Sequence, residues 1–91
     1  MAVTLVSIVV PVYNVRDYIT ECLVSVSEQT YTKGVECLIV DDCGIDDSIL
    51  LAQAFIDGYE GEIDFRILRH ERNRGLSAAR NTGIANARGT Y

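Results

Sequence analysis

Two adjacent carboxylates, Asp41 and Asp42, close the apolar run Leu38-Ile39-Val40 and are followed by Cys43 and Gly44. A continuous Val/Ile/Leu run reads as a strand buried on both faces, the kind found in parallel sheets covered by helices. In open α/β sheets ligands bind beyond the carboxyl ends of the strands, so acids at that place read as site rather than core. A carboxylate there can accept a hydrogen bond from a base N–H, and Tyr13, ending an earlier strand, can stack on a base. Alternation along a strand sends the Asp41 and Asp42 side chains to opposite sides, so the two acids should not share one role. Cations gather later in the chain. Residues 65–91 hold Arg66, Arg69, Arg72, Arg74, Arg80 and Arg88 against one acid, whereas residues 1–64 hold twelve acids against two bases. Arginines facing an acidic pair suit a small anion such as a diphosphate, and no long basic stripe is present to hold nucleic acid.

The elements that must position these groups follow in order. Leu5 to Val10 reads as a first strand, closed by Pro11, which lacks an N–H for the ladder. Asn14 is expected as an N-cap, with Asp17 three residues on. Tyr18, Ile19, Cys22, Leu23 and Val26 recur at helical spacing and predict a helix over about residues 15–28. Thr30 to Gly34 turns the chain, and Val35 to Val40 is the second strand. Asp46, Asp47 and Ser48 supply caps for a second helix with an apolar stripe of Ile49, Ala52, Phe55, Ile56 and Tyr59 and a stop at Gly58. Ile63 to Leu68 alternates as an edge strand. Asn73-Arg74-Gly75 turns into an alanine-rich helix, Leu76 to Ala87, ended by Gly89. The β-α-β-α-β-α order with right-handed crossovers predicts an α/β fold: an open parallel sheet, strand order 3-2-1, with helices on both faces. Tyr91 reads as the first residue of a fourth strand beside strand 1.

Ninety-one residues, 48% apolar and 23% charged, make one ordered domain that buries a little over ~60% of its unfolded surface. No apolar run approaches the roughly 20 residues of a membrane span, and no signal peptide precedes the first strand. Cys22, Cys37 and Cys43 have no metal spacing. Cys22 and Cys37 are expected as buried apolar residues, Cys43 as loop, all in a reducing cytoplasmic setting.

The first strand-to-helix turn, Pro11-Val12-Tyr13-Asn14, contains no glycine. That excludes a dinucleotide fingerprint, which needs GxGxxG there, and the glycine-rich turn of a sugar-nucleotide pyrophosphorylase. A P-loop is also absent. A response-regulator receiver would carry its acidic pair after strand 1 rather than strand 2. What remains is a fold that holds a nucleotide without a glycine cradle.

Four blocks carry a family resemblance. Val6-Ser7-Ile8-Val9-Val10-Pro11-Val12-Tyr13-Asn14 resembles the opening of the family 2 glycosyltransferases, inverting enzymes of the Rossmann-like GT-A fold. Ser25 with Gln29-Thr30 is similar to their S-x-x-x-Q-T. Glu36 through Ser48 resembles E-x-I-V-V-D-D-G-S-x-D-x-S, and Asn73 through Gly89 resembles N-x-G-x-x-x-A-R-N-x-G-I-x-x-A-x-G. The resemblance implies transfer of a sugar from a nucleotide-diphospho-sugar, a UDP-sugar by expectation, to an acceptor hydroxyl in polysaccharide or glycoconjugate synthesis. It places the nucleoside on Pro11, Val12 and Tyr13, the base on Asp42, and the diphosphate near Arg80, with Asn14, Asp41 and Gly75 as secondary neighbours. One departure is Cys43-Gly44 where the family has Gly-Ser.

The resemblance also implies a divalent metal, Mg or Mn, held by a DxD pair beyond Tyr91, and a catalytic Asp further on. Asp46 and Asp47 read as helix caps rather than as that pair. On this reading the chain is the donor-nucleotide half of a longer enzyme, truncated before its fourth strand and inactive alone. Its location would be cytoplasmic, at the inner face of the membrane where other segments tether it, and its exposed strand 1 edge would favour self-association. The competing reading is a non-catalytic nucleotide-binding or protein-interaction module on the same fold.

Overall fold

The computed structural model describes residues 6–28, 33–44 and 46–89. Expectations for Leu5, Gln29-Thr30, the centre of the 30–34 turn, Ile45 and the fourth strand at Tyr91 lie outside these residues. The order is β1 (Val6–Val12), α1 (Ile19–Ser27), β2 (Val35–Asp41), α2 (Ser48–Gly58), β3 (Asp64–Arg69) and α3 (Leu76–Asn86). The three strands form one parallel sheet in the order β1-β2-β3, as the sequence predicts. Ser7 and Asp64 flank Glu36 at one end, and Val12 and Arg69 flank Asp41 at the other.

All seven residues of β2 are buried, which is what a central strand with covered faces requires. Val35, Cys37 and Ile39 join Ile19, Leu23 and Val26 of α1 and Ala52 of α2 in the main core. Leu38 and Val40 alternate to the other face and are buried outside that cluster, as is Ala79 of α3. α1 packs on α2, and α3 packs on β1 and β2. Phe55, Tyr59 and Phe65 close the β3 side, with Phe65 edge-on to both partners at centroid distances of 5.7 and 4.9 Å. Burial pushes the Cys37 thiol up to about 12, with Cys22 adding to the shift, so it stays a protonated core group.

Four local expectations are corrected. β1 does not stop at Pro11, which pairs in register with Val40. Val12 C=O bonds toward β2 and the Asp42 N–H, so the neighbouring Pro11 turns its missing N–H to the outer edge, where no ladder donor is needed. Asn14 is not a helix cap. Residues 15–18 form a turn, with the Tyr18 and Ile19 N–H groups both on Val15 C=O at 2.9 Å, and α1 starts at Ile19 with no side-chain cap, so Asp17 has no capping role. Cys22 is exposed, because the buried stripe of α1 is the narrower Ile19, Leu23, Val26 set. In α2 the N-cap residue Asp47 makes no side-chain cap bond and pairs with Arg16 instead, while Asp46, one residue earlier, accepts the Ser48 N–H at 3.1 Å through Oδ1.

At the amino ends of the strands, Glu36 is fully buried. Its carboxylate accepts from Ser7 Oγ at 2.5 Å, Arg88 N–H at 2.5 Å and Arg88 Nε at 3.1 Å, with Arg66 3.7 Å away. Gly89 N–H returns to Ser7 Oγ at 2.9 Å, and Arg88 also pairs with Asp64, so the segment after α3 is tied across all three strands.

Candidate functional site

The carboxyl ends of the strands bring together the loops that follow β1, β2 and β3. Asp42 N–H donates to Val12 C=O at 2.9 Å and His70 N–H to Asp41 C=O at 2.9 Å, so each loop leaves the sheet fastened to its neighbour. The β1 and β2 loops then press together. A Cβ on Gly44 would lie 2.9 Å from Asn14 Oδ1 and 3.1 Å from Asn14 N, a space only glycine leaves open. Asn14 takes a left-handed φ of 54°, and its Oδ1 accepts the Asp46 N–H at 3.3 Å. Ser48 Oγ accepts the Val15 N–H at 2.8 Å, and Asp46 Oδ2 accepts the Arg16 N–H at 3.0 Å. The stretch that follows Tyr13 is therefore stitched to the start of α2, and Tyr13 stands at its head, 40% exposed. Pro11 is half-buried and Val12 buried beneath it.

The two acids separate as alternation requires. Asp41 holds its own turn, accepting the Gly44 N–H at 3.4 Å and Arg69 Nε at 3.3 Å. Asp42 faces the α3 side and is 1% exposed. Its Oδ1 accepts His70 Nδ1–H at 2.7 Å and the Arg74 N–H at 2.8 Å, and its Oδ2 accepts the Gly75 N–H at 2.9 Å. Gly75, with φ 93° at the entry to α3, adopts a backbone that a side chain would strain, and this turns its N–H onto the carboxylate. Asp42 thus caps α3 from another element, at the positive end of that helix. Burial alone would raise the Asp42 pKa; the Arg74 amide, His70 and the Gly75 amide outweigh it and hold the carboxyl below its ordinary value.

His70 and Thr82 were not singled out from sequence, although the chain's sole histidine directly follows β3, at the same end of the sheet as the acids. The His70 side chain is 4% exposed, and its Nε2 lies 2.7 Å from Thr82 Oγ1. Beside it a cleft of about 440 Å³ is lined by Arg69, His70, Glu71, Arg72 and Arg74. Arg80 stands exposed on α3, and among the described residues its side chain makes no hydrogen bond or ion pair with the Asp42 cluster.

Among the described residues no group of three or more His, Cys, Asp or Glu side chains is arranged to hold a metal ion. Asp41 and Asp42 are engaged by the chain's own donors, so this residue set does not fit a divalent cation. No helix among the described residues is long and apolar enough to cross a membrane.

Comparison with known proteins gives a consistent answer. The pattern of glycosyl transferase family 2 matches residues 7–91. Glycosyltransferase GlyA of Streptococcus pneumoniae serotype 4 is 45% identical over 87 residues, covering 94% of this chain and 12% of its own length. Glycosyltransferase AglE of Haloferax volcanii is 39% identical over 85 residues, covering 92% of this chain and 27% of its own. Among solved structures, the mannosyltransferase PcManGT of Pyrobaculum calidifontis, in complex with GDP-Man and Mn2+, superposes with a TM-score of 0.84 at 25% identity, over 90% of this chain and 24% of that one. TarS of Staphylococcus aureus in complex with UDP gives 0.82 at 30% identity, over 93% and 25%. The chain spans about an eighth to a quarter of the length of these proteins. With the acidic pair, the glycine-free first turn and the 3-2-1 parallel sheet all in place, the match over residues 7–91 makes this chain a member of glycosyl transferase family 2.

Proposed function

We propose that this chain is the donor-nucleotide half of an inverting glycosyltransferase that takes its sugar from a UDP-sugar. The observation that carries the reading is the hydrogen bond from the Asp42 N–H to Val12 C=O, which sets the segment of Tyr13 next to Asp42, together with the bonds of Asp42 to His70 and Arg74, two residues that line an arginine-rich cleft. The Tyr13 ring offers a stacking face for uracil. A carboxylate has about four acceptor positions, and three on Asp42 are taken; the fourth, on Oδ2, is the proposed partner of the uracil N3–H. Because Asp42 is buried, that contact requires the segment 71–74, exposed along its length, to open over Oδ2. Pro11 and Val12 form the floor under the nucleoside, with Asn14, Asp41 and Gly75 shaping its walls.

In the proposed reaction the acceptor hydroxyl oxygen bonds to the anomeric carbon as the bond from that carbon to the diphosphate oxygen breaks. The electron pair leaves with the diphosphate and the hydroxyl proton passes to a base. Arg72 and Arg74 at the cleft, with Arg80 on α3, are proposed to stabilise the charge growing on the diphosphate. We assign neither the base nor a metal ligand to any described residue. A polysaccharide or glycoconjugate acceptor and a cytoplasmic setting complete the proposal, the latter supported by the three free thiols.

Calorimetric titration of the full chain with UDP tests the reading. Loss of one stacking face predicts about tenfold weaker binding for Tyr13→Ala. UDP affinity unchanged in both Tyr13→Ala and Asp42→Asn would overturn it.

A further inference from the structure

We propose that Thr82 and His70 are positioning residues for base selection: the Thr82 hydroxyl anchors the His70 ring through Nε2, and His70 holds the Asp42 carboxylate toward a base that carries a ring N–H. The proposal rests on the nucleoside reading above and names what that site discriminates.

A carboxylate can only accept, so the His70 nitrogen 2.7 Å from Asp42 Oδ1 must carry a proton. In a neutral imidazole that leaves Nε2 as an acceptor, and Thr82 Oγ1, 2.7 Å away, is the hydroxyl that donates to it. Were the proton on Nε2 instead, a lone pair on Nδ1 would face the carboxylate. The acceptor-only carboxylate thus sets the proton on Nδ1, and the Thr82 hydroxyl, by donating to Nε2, anchors the ring in that orientation. The chain Thr82–His70–Asp42 links α3, the end of β3 and the end of β2, and His70 and Asp42 in it are almost wholly buried. Partners of this kind orient a functional group without touching its ligand.

The His70 bond falls on Oδ1 together with the Arg74 amide, which leaves the vacant acceptor position on Oδ2. An acceptor held there favours uracil, whose N3 bears a hydrogen, over cytosine, whose N3 bears a lone pair. Repulsion between that lone pair and the carboxylate makes this a test of orientation rather than of general binding.

The experiment is calorimetry of the full chain with UDP and with CDP, read as the ratio of the two affinities. The unsubstituted chain should prefer UDP. Thr82→Val, which keeps shape and removes the hydroxyl, should lower the ratio about tenfold, the scale of one hydrogen bond. Thr82→Ser should restore it, and His70→Asn, whose amide donates from a position near that of Nδ1, should retain most of it. A general loss of stability would weaken both nucleotides alike and leave the ratio unmoved. If Thr82→Val keeps the full ratio, or Thr82→Ser loses it as completely, the positioning role is overturned while the nucleoside reading stands, provided Asp42→Asn abolishes the preference. If Asp42→Asn also keeps the ratio, or the unsubstituted chain shows none, the nucleoside reading fails and this proposal with it.

Discussion

Glu36 and Asp42 are the two deepest carboxylates of the molecule's described residues, six positions apart, Glu36 near the start of β2 and Asp42 immediately after its end. Both are held below their ordinary pKa. In each case burial pushes upward and is outweighed, by Ser7 and then Arg88 at Glu36, and by the Arg74 amide and then His70 at Asp42. They differ in who donates and in which end of the sheet they serve. Glu36 lies at the amino ends, where open α/β sheets bind nothing, and takes a hydroxyl, an amide and an arginine guanidinium, with a second guanidinium nearby. Asp42 lies at the carboxyl ends and takes two amides of an exposed loop and one imidazole. The first arrangement closes the sheet with cations; the second holds a buried carboxylate with amides of the segment that borders a cleft. A buried acid is thus not a site by virtue of burial. Position in the sheet and the exchangeability of its donors decide.

The largest expected effect separates the two acids directly. Glu36→Ala strips the acceptor from Ser7, the Arg88 amide and the Arg88 side chain at once, and should cost about 3 kcal/mol in chemical denaturation. Nucleotide affinity of the folded fraction should not change. A Glu36→Ala chain of full stability, or one that stays folded and loses UDP, would erase the distinction drawn between the two ends.

That distinction was only half legible in the sequence. Asp42 stood out because it breaks an apolar run at a strand end, and alternation correctly separated it from Asp41. The role of Glu36 has no local signal, because its partners Ser7 and Arg88 are 29 and 52 residues away and no local period joins them. The same non-locality hid His70 and Thr82. Fold class and strand order were readable from periodicity, since helix and strand spacing are local properties. The helix start was not. Asn14 has the chemistry of a cap, but its Oδ1 is taken by the Asp46 amide, 32 residues on. Pro11 misled for a similar reason: whether a missing N–H matters depends on which side of the strand has a neighbour.

A smaller effect sharpens the comparison through pH. Each carboxyl has a folded pKa below its ordinary value of 4.5 for Glu36 and 3.8 for Asp42. The stability each contributes is therefore complete above those values and is lost as pH falls through the lower, folded ones. Denaturant midpoints should decline below about pH 4.5, and the decline should be shallower in Glu36→Gln and in Asp42→Asn than in the unsubstituted chain. If the two variants respond alike in stability but only Asp42→Asn alters UDP binding, the comparison holds. A decline of undiminished slope in Glu36→Gln would show that Glu36 does not carry the acid sensitivity.

The smallest effect concerns the turn that only the carboxyl end possesses. Cys43 follows Asp42 with a left-handed φ of 58°, whereas Glu36 and Cys37 sit in regular strand. The family resemblance expects glycine at position 43, and the backbone shows why: the left-handed residue is Cys43, while Gly44 serves the close approach to Asn14. A side chain in that conformation costs about 1 kcal/mol, and glycine gives back part of the difference through its freer unfolded chain. The Cys43 thiol offsets little, since its nearest partner is Glu71 C=O at 3.8 Å. Cys43→Gly should therefore stabilise by about 0.5 kcal/mol, whereas Cys43→Ala, which keeps the strained backbone, should not. Thermal denaturation of the pair distinguishes relief of backbone strain from loss of the thiol. Equal shifts in both variants would show that the strain at this end of β2 is not where the left-handed turn places it.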